Sequence, residues 1–208
     1  MITDTRTRGE TGPRVLRPKQ VAALLAVPDR RTHLGTRDAA LLATMVLTGL
    51  RVHEAVRLTR DNLYEEAGKL RLEFHGKGGR RRTVTMPQTG ARLLRAWLAA
   101  PRAHAHWVFP GRRNEHLSIR AAQKVVVDRS GSAGLPWVHA HSLRHSFASA
   151  LMRATGDLFK VQRVLGHASP TTTSRYYLAY SSRESDEAAS AIESTLHPRG
   201  GQPRLAAR

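Results

Sequence analysis

Residues 141–177 read HSLRHSFASALMRATGDLFKVQRVLGHASPTTTSRYY and gather histidines, an arginine and tyrosines into two short clusters. The apolar spacing predicts helices over residues 141–153 and 158–165. Reactive side chains stand at the start of the first predicted helix and just beyond the end of the second. Such groups can bind a phosphodiester, move a proton and offer an oxygen nucleophile. The segment therefore points to phosphate-ester chemistry in a helical domain.

The net charge of the chain is strongly positive. Its 208 residues contain 34 Lys and Arg against 16 Asp and Glu, which gives a formal charge of +18. Such an excess predicts a polyanionic partner, most often a nucleic acid. Arg greatly outnumbers Lys, and its planar guanidinium suits bidentate contacts with phosphate. The alternative is an ordinary solvated surface encoded by a GC-rich genome. Such a genome would explain why Arg is used in place of Lys, but it explains the excess of positive charge less well.

Several classes of protein are disfavoured by what the sequence lacks. It has no Cys, so disulfides, cysteine nucleophiles and cysteine-ligated zinc are excluded. No apolar run approaches the length of a membrane span, and residues 1–6 carry no hydrophobic signal region. Neither a Walker lysine motif nor a carboxylate cluster for divalent ions stands in the sequence. We therefore expect a soluble cytoplasmic protein with no membrane partner, no cofactor and no metal.

The pattern over the whole chain predicts a mainly α-helical fold with a small antiparallel β-sheet (α+β). Besides the two helices above, helices are expected from Pro18 onward and over residues 37–49, 51–58, 91–98, 119–127, 171–179 and 183–196. Alternating side chains predict strands over 70–74 and 82–86, with a turn at 76–79. Residues 131–136 are expected to form a loop.

Four segments match, in order, the motifs of a known family. They are residues 48–54 (TGLRVHE), residues 75–84 (HGKGGRRRTV), the pair His141-x-x-Arg144, and residues 165–167 (LGH) followed nine positions later by Tyr176. Together they resemble the catalytic half of the tyrosine recombinase, or phage integrase, family. The resemblance covers about residues 14–196 and implies the fold of that catalytic domain.

The domain organisation follows from this resemblance. A catalytic domain is expected over residues 14–196, between a flexible arm at 1–13 and a disordered basic tail at 197–208. Most members of the family carry a separate core-binding domain of about 100 residues before this region, whereas only a short segment precedes it here. We expect either a naturally short recombinase, like the small DNA invertases, or a truncated chain.

The resemblance assigns Arg51 and Arg144 to the scissile phosphate. Two guanidinium groups on one phosphate can hold its nonbridging oxygens and stabilise the added charge of a pentacoordinate transition state. Glu54 lies one helical turn after Arg51 and is expected to form an ion pair that orients it. Taken alone, Arg51 would rather be a surface arginine at the start of a helix.

The predicted turn between the strands contains Lys77, which by the resemblance protonates the leaving 5′ hydroxyl as a general acid. A lysine on a short mobile turn can reach a substrate that arrives from outside. The alternative is a basic turn that contacts the DNA backbone nonspecifically, because Gly-Lys-Gly is a weak motif by itself. The neighbouring Arg80, Arg81 and Arg82 are interpreted as DNA-binding residues that contact phosphates and not as catalysts.

His141 stands three residues before Arg144, a spacing that places both side chains on one face of a helix. By the resemblance, His141 takes part in proton transfer or hydrogen-bonds the phosphate. Metal binding is the competing interpretation, because His139, His141 and His145 form His-x-His-x-x-x-His and histidine is the commonest metal ligand. No Asp, Glu or Cys stands near to complete a catalytic metal set. His145 is therefore expected to be a satisfied, partly buried side chain.

Tyr176 matches the nucleophile of the family. A phenol is protonated at neutral pH, since its pKa is about 10, so it needs a base or cationic surroundings to attack phosphorus. Tyr177 is the rival, but on a helix it would point about a quarter-turn away and is interpreted as a packing residue. The resemblance assigns His167 to hydrogen-bond the phosphate or to position the nucleophile, while a histidine that interacts with the helix dipole is the alternative.

The resemblance implies site-specific DNA recombination. The tyrosine would attack a phosphodiester of double-stranded DNA to form a 3′-phosphotyrosyl link, and a partner 5′ hydroxyl would reverse the step, so no cofactor is needed. The family acts at the nucleoid as a homo-tetramer on paired sites. The sequence leaves open whether accessory DNA-bending proteins are further partners. Residues 183–196 resemble a helix exchanged between subunits, although they could fold back on their own domain. The alternatives are a type IB topoisomerase-like relaxation of DNA and a non-catalytic DNA-binding regulator on the same scaffold.

Overall fold

A computed structural model describes residues 14–75, 81–100, 106–112 and 115–166 of the chain. These residues form seven α-helices, which are α1 (Pro18–Ala26), α2 (His33–Thr48), α3 (Val52–Val56), α4 (Gln88–Leu98), α5 (Ile119–Ser132), α6 (Ala140–Thr155) and α7 (Leu158–Leu165). The strands are β1 (Leu63–Glu66), β2 (Lys69–His75) and β3 (Arg81–Thr85), and one 3-10 turn (Arg60–Asn62) precedes β1. The predicted fold, mainly α with a small antiparallel sheet, is confirmed.

Helix α2 is the central element of the fold. Its N-cap is Thr32, whose hydroxyl accepts a 3.0 Å hydrogen bond from the backbone N–H of Gly35, and its C-cap is Gly49 in the left-handed conformation (φ 68°). Residues 39–46 are buried all around the helix. Helices α1, α3, α4, α5 and α6 all pack against α2. The predicted start at residue 37 is four residues late, because the N-cap at Thr32 adds a first turn that carries few apolar side chains.

The sheet is antiparallel in the order β1-β2-β3, with Leu63 opposite Leu72 and Leu72 opposite Val84. Strands β2 and β3 were predicted, but β1 was missed. Only Leu63 in β1 is partly buried and the next three residues are exposed, so the strand lacks the alternation of apolar and polar residues that marks a half-buried strand. Pairing with β2, and not its own sequence, makes this segment a strand.

Helix α5 is longer than the sequence indicated. Residues 131–136 were predicted to be a loop, but the helix continues through Gly131 to Ser132. The chain turns only at Gly134 (φ 73°), where the N–H of Leu135 donates a 2.8 Å hydrogen bond to the carbonyl of Ser130. Gly131 is tolerated inside the helix, and Gly134 follows the end of the helix, where the chain turns.

Two apolar clusters position the elements that carry the reactive side chains. The larger cluster is centred on α2 and includes the fully buried Leu41, Leu42, Met45, Trp97 and Phe109. The smaller one joins α6 to α7 through Ala148, Met152, Val161 and Leu165. As a result, the C-terminal ends of α2 and α7 meet the N-terminal half of α6.

Some predictions fall on residues outside the described ranges. These are the arm at 1–13, the turn at 76–79, the helices at 171–179 and 183–196, and the tail at 197–208. Among the described residues, no helix is long and apolar enough to cross a membrane.

Candidate catalytic site

Arg51 and Glu54 lie at the junction of α2 and α3. Arg51 is the N-cap of α3, and the Glu54 carboxylate accepts a 2.7 Å hydrogen bond from the Arg51 backbone N–H. The same carboxylate lies 3.3 Å from Nη1 of the Arg51 guanidinium. The ion pair expected from their spacing is therefore present. It holds the Arg51 side chain, which is 38% exposed, at the solvent edge of the site.

Gly49 brings this junction close to helix α6. A Cβ atom at position 49 would overlap the ring of Phe147 in α6, so a larger residue would push the two helices apart. The positive φ of 68° adds a second reason for glycine here. The close approach lets a side chain from α6 reach the last carbonyls of α2.

Arg144 is the side chain from α6 that reaches the end of α2. It is 3% exposed, and its Nη1 donates a 2.5 Å hydrogen bond to the carbonyl of Gly49 while Nη2 donates a 2.7 Å bond to the carbonyl of Leu165. Nη1 also lies 3.7 Å from Oε2 of Glu54. The final carbonyls of a helix have no partners inside the helix and carry its negative dipole end. Arg144 therefore joins the C-terminal ends of α2 and α7 to the Glu54 carboxylate.

Arg82 is the third guanidinium of the site. From β3 its Nη2 lies 3.2 Å from Oε2 of Glu54, and its Nη1 donates to the carbonyl of Leu165. Its guanidinium carbon also lies 4.8 Å from the centre of the Phe74 ring, at cation–π distance. Sequence reasoning placed Arg82 among the phosphate contacts outside the catalytic set, but its side chain is only 13% exposed.

A signal for Arg82 was present in the strand pattern. Side chains of a strand alternate between its two faces, so residues 82, 84 and 86 share one face. Val84 and Met86 are buried, and Arg82 follows the same face inward while Thr83 is exposed. An arginine in register with two buried apolar residues is expected to have a buried partner.

Three positive groups therefore surround one carboxylate. We call Arg51, Arg82 and Arg144 the arginine cluster. Burial by itself would raise the pKa of Glu54, but its donors and positive neighbours lower it below the ordinary value of 4.5. In decreasing order they are the Arg82 charge, the Arg51 backbone N–H, and the charges of Arg144 and Arg51. With three positive charges against one negative, the cluster keeps an excess that attracts an anion.

Burial acts on Arg82 as well. It lowers the pKa of Arg82 below its ordinary value, and the Glu54 carboxylate opposes that shift. A guanidinium nevertheless stays protonated in proteins. The arginine cluster is therefore fully charged at neutral pH.

His141 lies in the first turn of α6, beside the cluster. Its side chain is exposed on one side, and its ring meets the His145 ring edge-on with 4.2 Å between centroids. Partial burial and neighbouring positive charges lower the pKa of His141 below its ordinary value of 6.5. In decreasing order those charges are Arg144, His139 and Arg51. His141 is therefore neutral at neutral pH and able to accept a proton.

The side chains of the three histidines, His139 at the N-cap of α6 and His141 and His145 within the helix, do not converge on one point. Nδ1 of His139 is 3.0 Å from the carbonyl of Trp137 and 3.2 Å from the hydroxyl of Ser142. His145 is partly buried, as expected. Within the described ranges, no group of three His, Cys, Asp or Glu side chains lies close enough to hold a metal ion.

The structure brings four of the predicted site residues together, three from the catalytic set and one from the DNA-binding set. Arg51, Arg144 and Arg82 lie around Glu54, although sequence reasoning had assigned Arg82 to DNA binding only. His141 lies beside Arg144 and Arg51. The remaining candidates, whose side chains lie outside the described ones, are Lys77, Arg80, Arg81, His167 and Tyr176. Three described elements stand next to some of these residues in the chain: α7 ends at Leu165, two residues before His167, and β2 and β3 flank residues 76–80.

Comparison with known sequences settles the family. The sequence profile of the phage integrase family matches residues 14–183. The chain belongs to the phage integrase family. This finding confirms the resemblance to a tyrosine recombinase catalytic domain that the motifs indicated.

Relatives within this family are recombinases. Tyrosine recombinase XerC of Xylella fastidiosa (strain M23) is 41% identical over 168 residues, which are 79% of this chain and 55% of the relative. Tyrosine recombinase XerD of Neisseria meningitidis serogroup B (strain ATCC BAA-335 / MC58) is 36% identical over 170 residues, 79% of this chain and 58% of the relative. The chain thus spans little more than half the length of these two relatives.

Solved structures of two recombinases share the fold. XerH recombinase in a post-cleavage complex with a palindromic difH substrate has a TM-score of 0.74 at 28% identity, over 91% of this chain and 56% of that one. XerA recombinase has a TM-score of 0.70 at 23% identity, over 85% of this chain and 65% of that one, and so supports the fold alone.

Proposed function

We propose that this chain carries out site-specific DNA recombination, by cleaving and rejoining DNA strands through a 3′-phosphotyrosyl intermediate. The observation that carries the proposal is the convergence of Arg51 and Arg144 on one carboxylate, Glu54, with His141 beside them. Family membership and relatives named tyrosine recombinase support the same activity.

The arginine cluster has the properties of a phosphate site. Glu54 holds Arg51, the N-cap residue of α3, but the Arg51 side chain stays partly exposed. Its guanidinium can therefore meet an incoming phosphate. Arg144 is buried and fixed by two helix carbonyls, so its charge is in place before substrate arrives. Preorganised positive groups of this kind stabilise the charge that develops on a pentacoordinate phosphorus without reorganisation.

The reaction then needs a nucleophile and two proton transfers. The phenolic oxygen of Tyr176 attacks phosphorus, the bond from phosphorus to O5′ breaks, and the chain is joined to the 3′ phosphate. The phenolic proton passes to the neutral ring of His141, and Lys77 gives a proton to the leaving O5′. His167 hydrogen-bonds the phosphate. The roles of Tyr176, His141, Lys77 and His167 rest on the positions of these residues in the family motifs.

Rejoining is the reverse of this step. A 5′ hydroxyl from a partner strand attacks the phosphotyrosine, the phenol regains its proton, and a phosphodiester forms again. One phosphate ester is exchanged for another at each stage, so no cofactor is required.

The proposal extends to the assembly. Duplex DNA is the partner, four copies act on paired sites at the nucleoid in the cytoplasm, and residues 183–196 are exchanged between neighbouring copies. Accessory DNA-bending proteins would help to bring the two sites together. XerH, which shares the fold, was solved with its difH substrate, and this supports DNA as the ligand. The net charge of +18 agrees with a polyanionic partner.

A covalent capture experiment tests the activity. The probe is a library of nicked duplexes with randomised flanks, in which cleavage near the nick releases a short 5′-hydroxyl fragment and traps the adduct. The wild-type chain is expected to form a protein–DNA adduct that survives SDS. Tyr176→Phe should abolish the adduct, and the matched control Tyr177→Phe should retain it.

Other outcomes would favour the alternatives. Tight duplex binding without any adduct would support a DNA-binding regulator. Relaxation of a supercoiled plasmid that lacks every captured sequence would support a type IB topoisomerase-like activity. The duplex recovered from the library also provides the substrate for the further experiments.

A further inference from the structure

Arg82 and Arg144 share the same two acceptors, although one stands in β3 and the other in α6. Nη2 of Arg82 lies 3.2 Å from Oε2 of Glu54, and Nη1 of Arg144 lies 3.7 Å from the same oxygen. The carbonyl of Leu165 accepts a hydrogen bond from each guanidinium. A carbonyl oxygen has two lone pairs, so it can accept both bonds. The two positive charges are therefore held side by side, with the Glu54 carboxylate between them.

We propose that Arg82 is a positioning residue for strand cleavage, which acts as the counterion of Glu54 and so keeps Arg51 and Arg144 available to the scissile phosphate. The inference rests on the proposed function, in which Arg51 and Arg144 hold that phosphate. It differs from the sequence interpretation, in which Arg82 itself contacts a phosphate of the DNA.

The Glu54 carboxylate competes with a phosphate for positive charge. Its oxygens lie 3.3 Å from Nη1 of Arg51 and 3.7 Å from Nη1 of Arg144, the two groups that the phosphate needs. Carboxylates and phosphates bind guanidinium groups in the same way. A carboxylate paired with these two arginines alone would therefore hold them against an incoming phosphate.

Arg82 is placed to relieve this competition. Its ion pair with Glu54 is the shortest of the three that the arginine cluster makes, at 3.2 Å. Burial raises the pKa of Glu54, and the charge of Arg82 is the largest of the influences that lower it. The carboxylate is therefore balanced mainly by Arg82, and the charges of Arg51 and Arg144 remain in excess.

The surroundings of Arg82 keep its charge at Glu54. The Phe74 ring of β2 lies 4.8 Å from the guanidinium carbon, at cation–π distance. Gly166 has a φ of 64°, and a Cβ atom there would overlap Nη1 of Arg82, so the glycine leaves the space that this side chain fills. The Arg82 side chain is 13% exposed, against 38% for Arg51. Arg51 can turn toward a ligand, whereas Arg82 is fixed on the carboxylate.

The loss of Arg82 should be compensated by the loss of the Glu54 charge. Without Arg82, the carboxylate is left to Arg51 and Arg144, and the phosphate has to displace it. A glutamine at position 54 removes the competing charge, while its side-chain oxygen can still accept the hydrogen bond from the Arg51 backbone N–H. An Arg82 that contacted DNA directly would show no such compensation.

A double-mutant cycle on strand cleavage tests this compensation. The substrate is the duplex recovered by covalent capture, and single-turnover cleavage is measured at neutral pH and saturating DNA. The variants are Arg82→Met, Glu54→Gln and the two combined, each assayed at a temperature at which it is folded. Arg82→Lys keeps the positive charge, and the exposed Arg92→Met is the control for the loss of one charge.

We expect Arg82→Met to cleave about 100-fold more slowly than wild type, the scale of losing one group that stabilises developing charge. Glu54→Gln should lose only about 10-fold, and the combined variant should match it, because the two substitutions act on one interaction. Arg82→Lys should show a smaller loss than Arg82→Met. With the combined variant, it keeps the test valid if Arg82→Met does not fold. Arg92→Met should cleave normally.

A titration without DNA tests the ion pair itself. The midpoint of the Glu54 carboxylate is measured by ¹³C NMR in wild type, Arg82→Met and Arg92→Met. Arg82→Met should raise the midpoint, because burial remains and the largest opposing charge is gone. Arg92→Met should leave it unchanged.

Several results would overturn the inference. They are a normal cleavage rate of Arg82→Met, a combined variant whose loss is the product of the two single losses, and equal losses of Arg82→Met and Arg82→Lys. A loss that disappears when the DNA concentration is raised, or a Glu54 midpoint that does not rise in Arg82→Met, would do the same. A wild-type chain that forms no adduct would instead remove the proposed function itself, and the Glu54 midpoint would still decide whether Arg82 is its counterion.

Discussion

The guanidinium of Arg144 in α6 donates a 2.7 Å hydrogen bond to the carbonyl oxygen of Leu165, the last residue of α7. The same side chain bonds to the carbonyl of Gly49, 95 residues earlier in the chain. One buried arginine therefore closes the C-terminal ends of two helices while its charge faces Glu54. Structural support and the presentation of positive charge are combined in one group.

Replacement of Arg144 by lysine should destabilise the fold. A lysine cannot bond to two separate carbonyls in the geometry of a guanidinium, so at least one buried carbonyl loses its partner. We expect a loss of about 2–3 kcal/mol in the free energy of unfolding, measured by urea denaturation. The exposed Arg163→Lys on α7 should change it by less than about 0.5 kcal/mol. Equal stabilities of the two variants would contradict this account.

Replacement of Glu54 by glutamine should destabilise the fold in a pH-dependent way. The pKa of Glu54 is lowered in the folded state, so its stabilisation is complete above the ordinary value of 4.5 and is lost as pH falls through the folded-state pKa. At pH 7 we expect Glu54→Gln to cost about 2 kcal/mol. Denaturation at pH 7 and pH 4 should give a smaller difference from wild type at the lower pH, and a constant or growing difference would contradict the prediction.

His141 should titrate below its ordinary pKa of 6.5. Partial burial and the nearby positive charges disfavour the imidazolium, so the ring should be neutral at pH 7. Long-range ¹H–¹⁵N NMR spectra recorded against pH measure its midpoint. Arg51→Met removes one of the positive charges and should raise the His141 midpoint toward 6.5. A midpoint above 6.5 in wild type, or no rise in the variant, would show that the arginine cluster does not act on His141.

Gly166→Ala should cost more stability than Gly134→Ala. Both glycines have positive φ values, 64° and 73°, so both substitutions carry backbone strain of about 1 kcal/mol. A Cβ atom at Gly166 also meets Arg82, whereas nothing lies within 4 Å of one at Gly134. The additional cost at Gly166 should disappear when Arg82 is replaced by methionine. A double-mutant cycle measured by urea denaturation tests this, and additive effects would contradict it.

The affinity for duplex DNA should fall steeply with salt. A charge of +18 implies many phosphate contacts, and each neutralised phosphate adds about −0.9 to the slope of log affinity against log salt. Fluorescence anisotropy with a labelled duplex between 50 and 200 mM salt measures this slope. Arg92→Met serves as a surface reference, and a flat response of wild type would exclude the basic surface as the main DNA contact.

Much of the site could be predicted because part of it is local. Arg51 and Glu54 are three residues apart, so helical geometry alone brings the carboxylate to the N-cap. His141 and Arg144 share a helix face by the same spacing. The helices with strong apolar periodicity were predicted close to their observed bounds. Strand β1 was missed, because its exposed residues owe their conformation to pairing with β2.

The strand pattern around Arg82 could indicate that its side chain is buried, but not which groups it contacts. It stands in a run of three arginines, and composition alone makes all three equivalent as surface charges. Its partners are Glu54, 28 residues earlier, and Leu165, 83 residues later. Only tertiary packing, including that of β3 against α7, brings these groups within hydrogen-bond distance of Arg82.

The sequence by itself determined the chemistry available to this protein, because residue types and short-range helical spacing fix which groups lie in one motif. It also determined the mainly helical class, through periodicity that each segment carries alone. The tertiary structure decided which charges share one carboxylate, since Arg51, Arg82 and Arg144 come from different elements and meet only when the apolar core sets those elements side by side. Long-range contacts of this kind depend on packing, which no local pattern encodes.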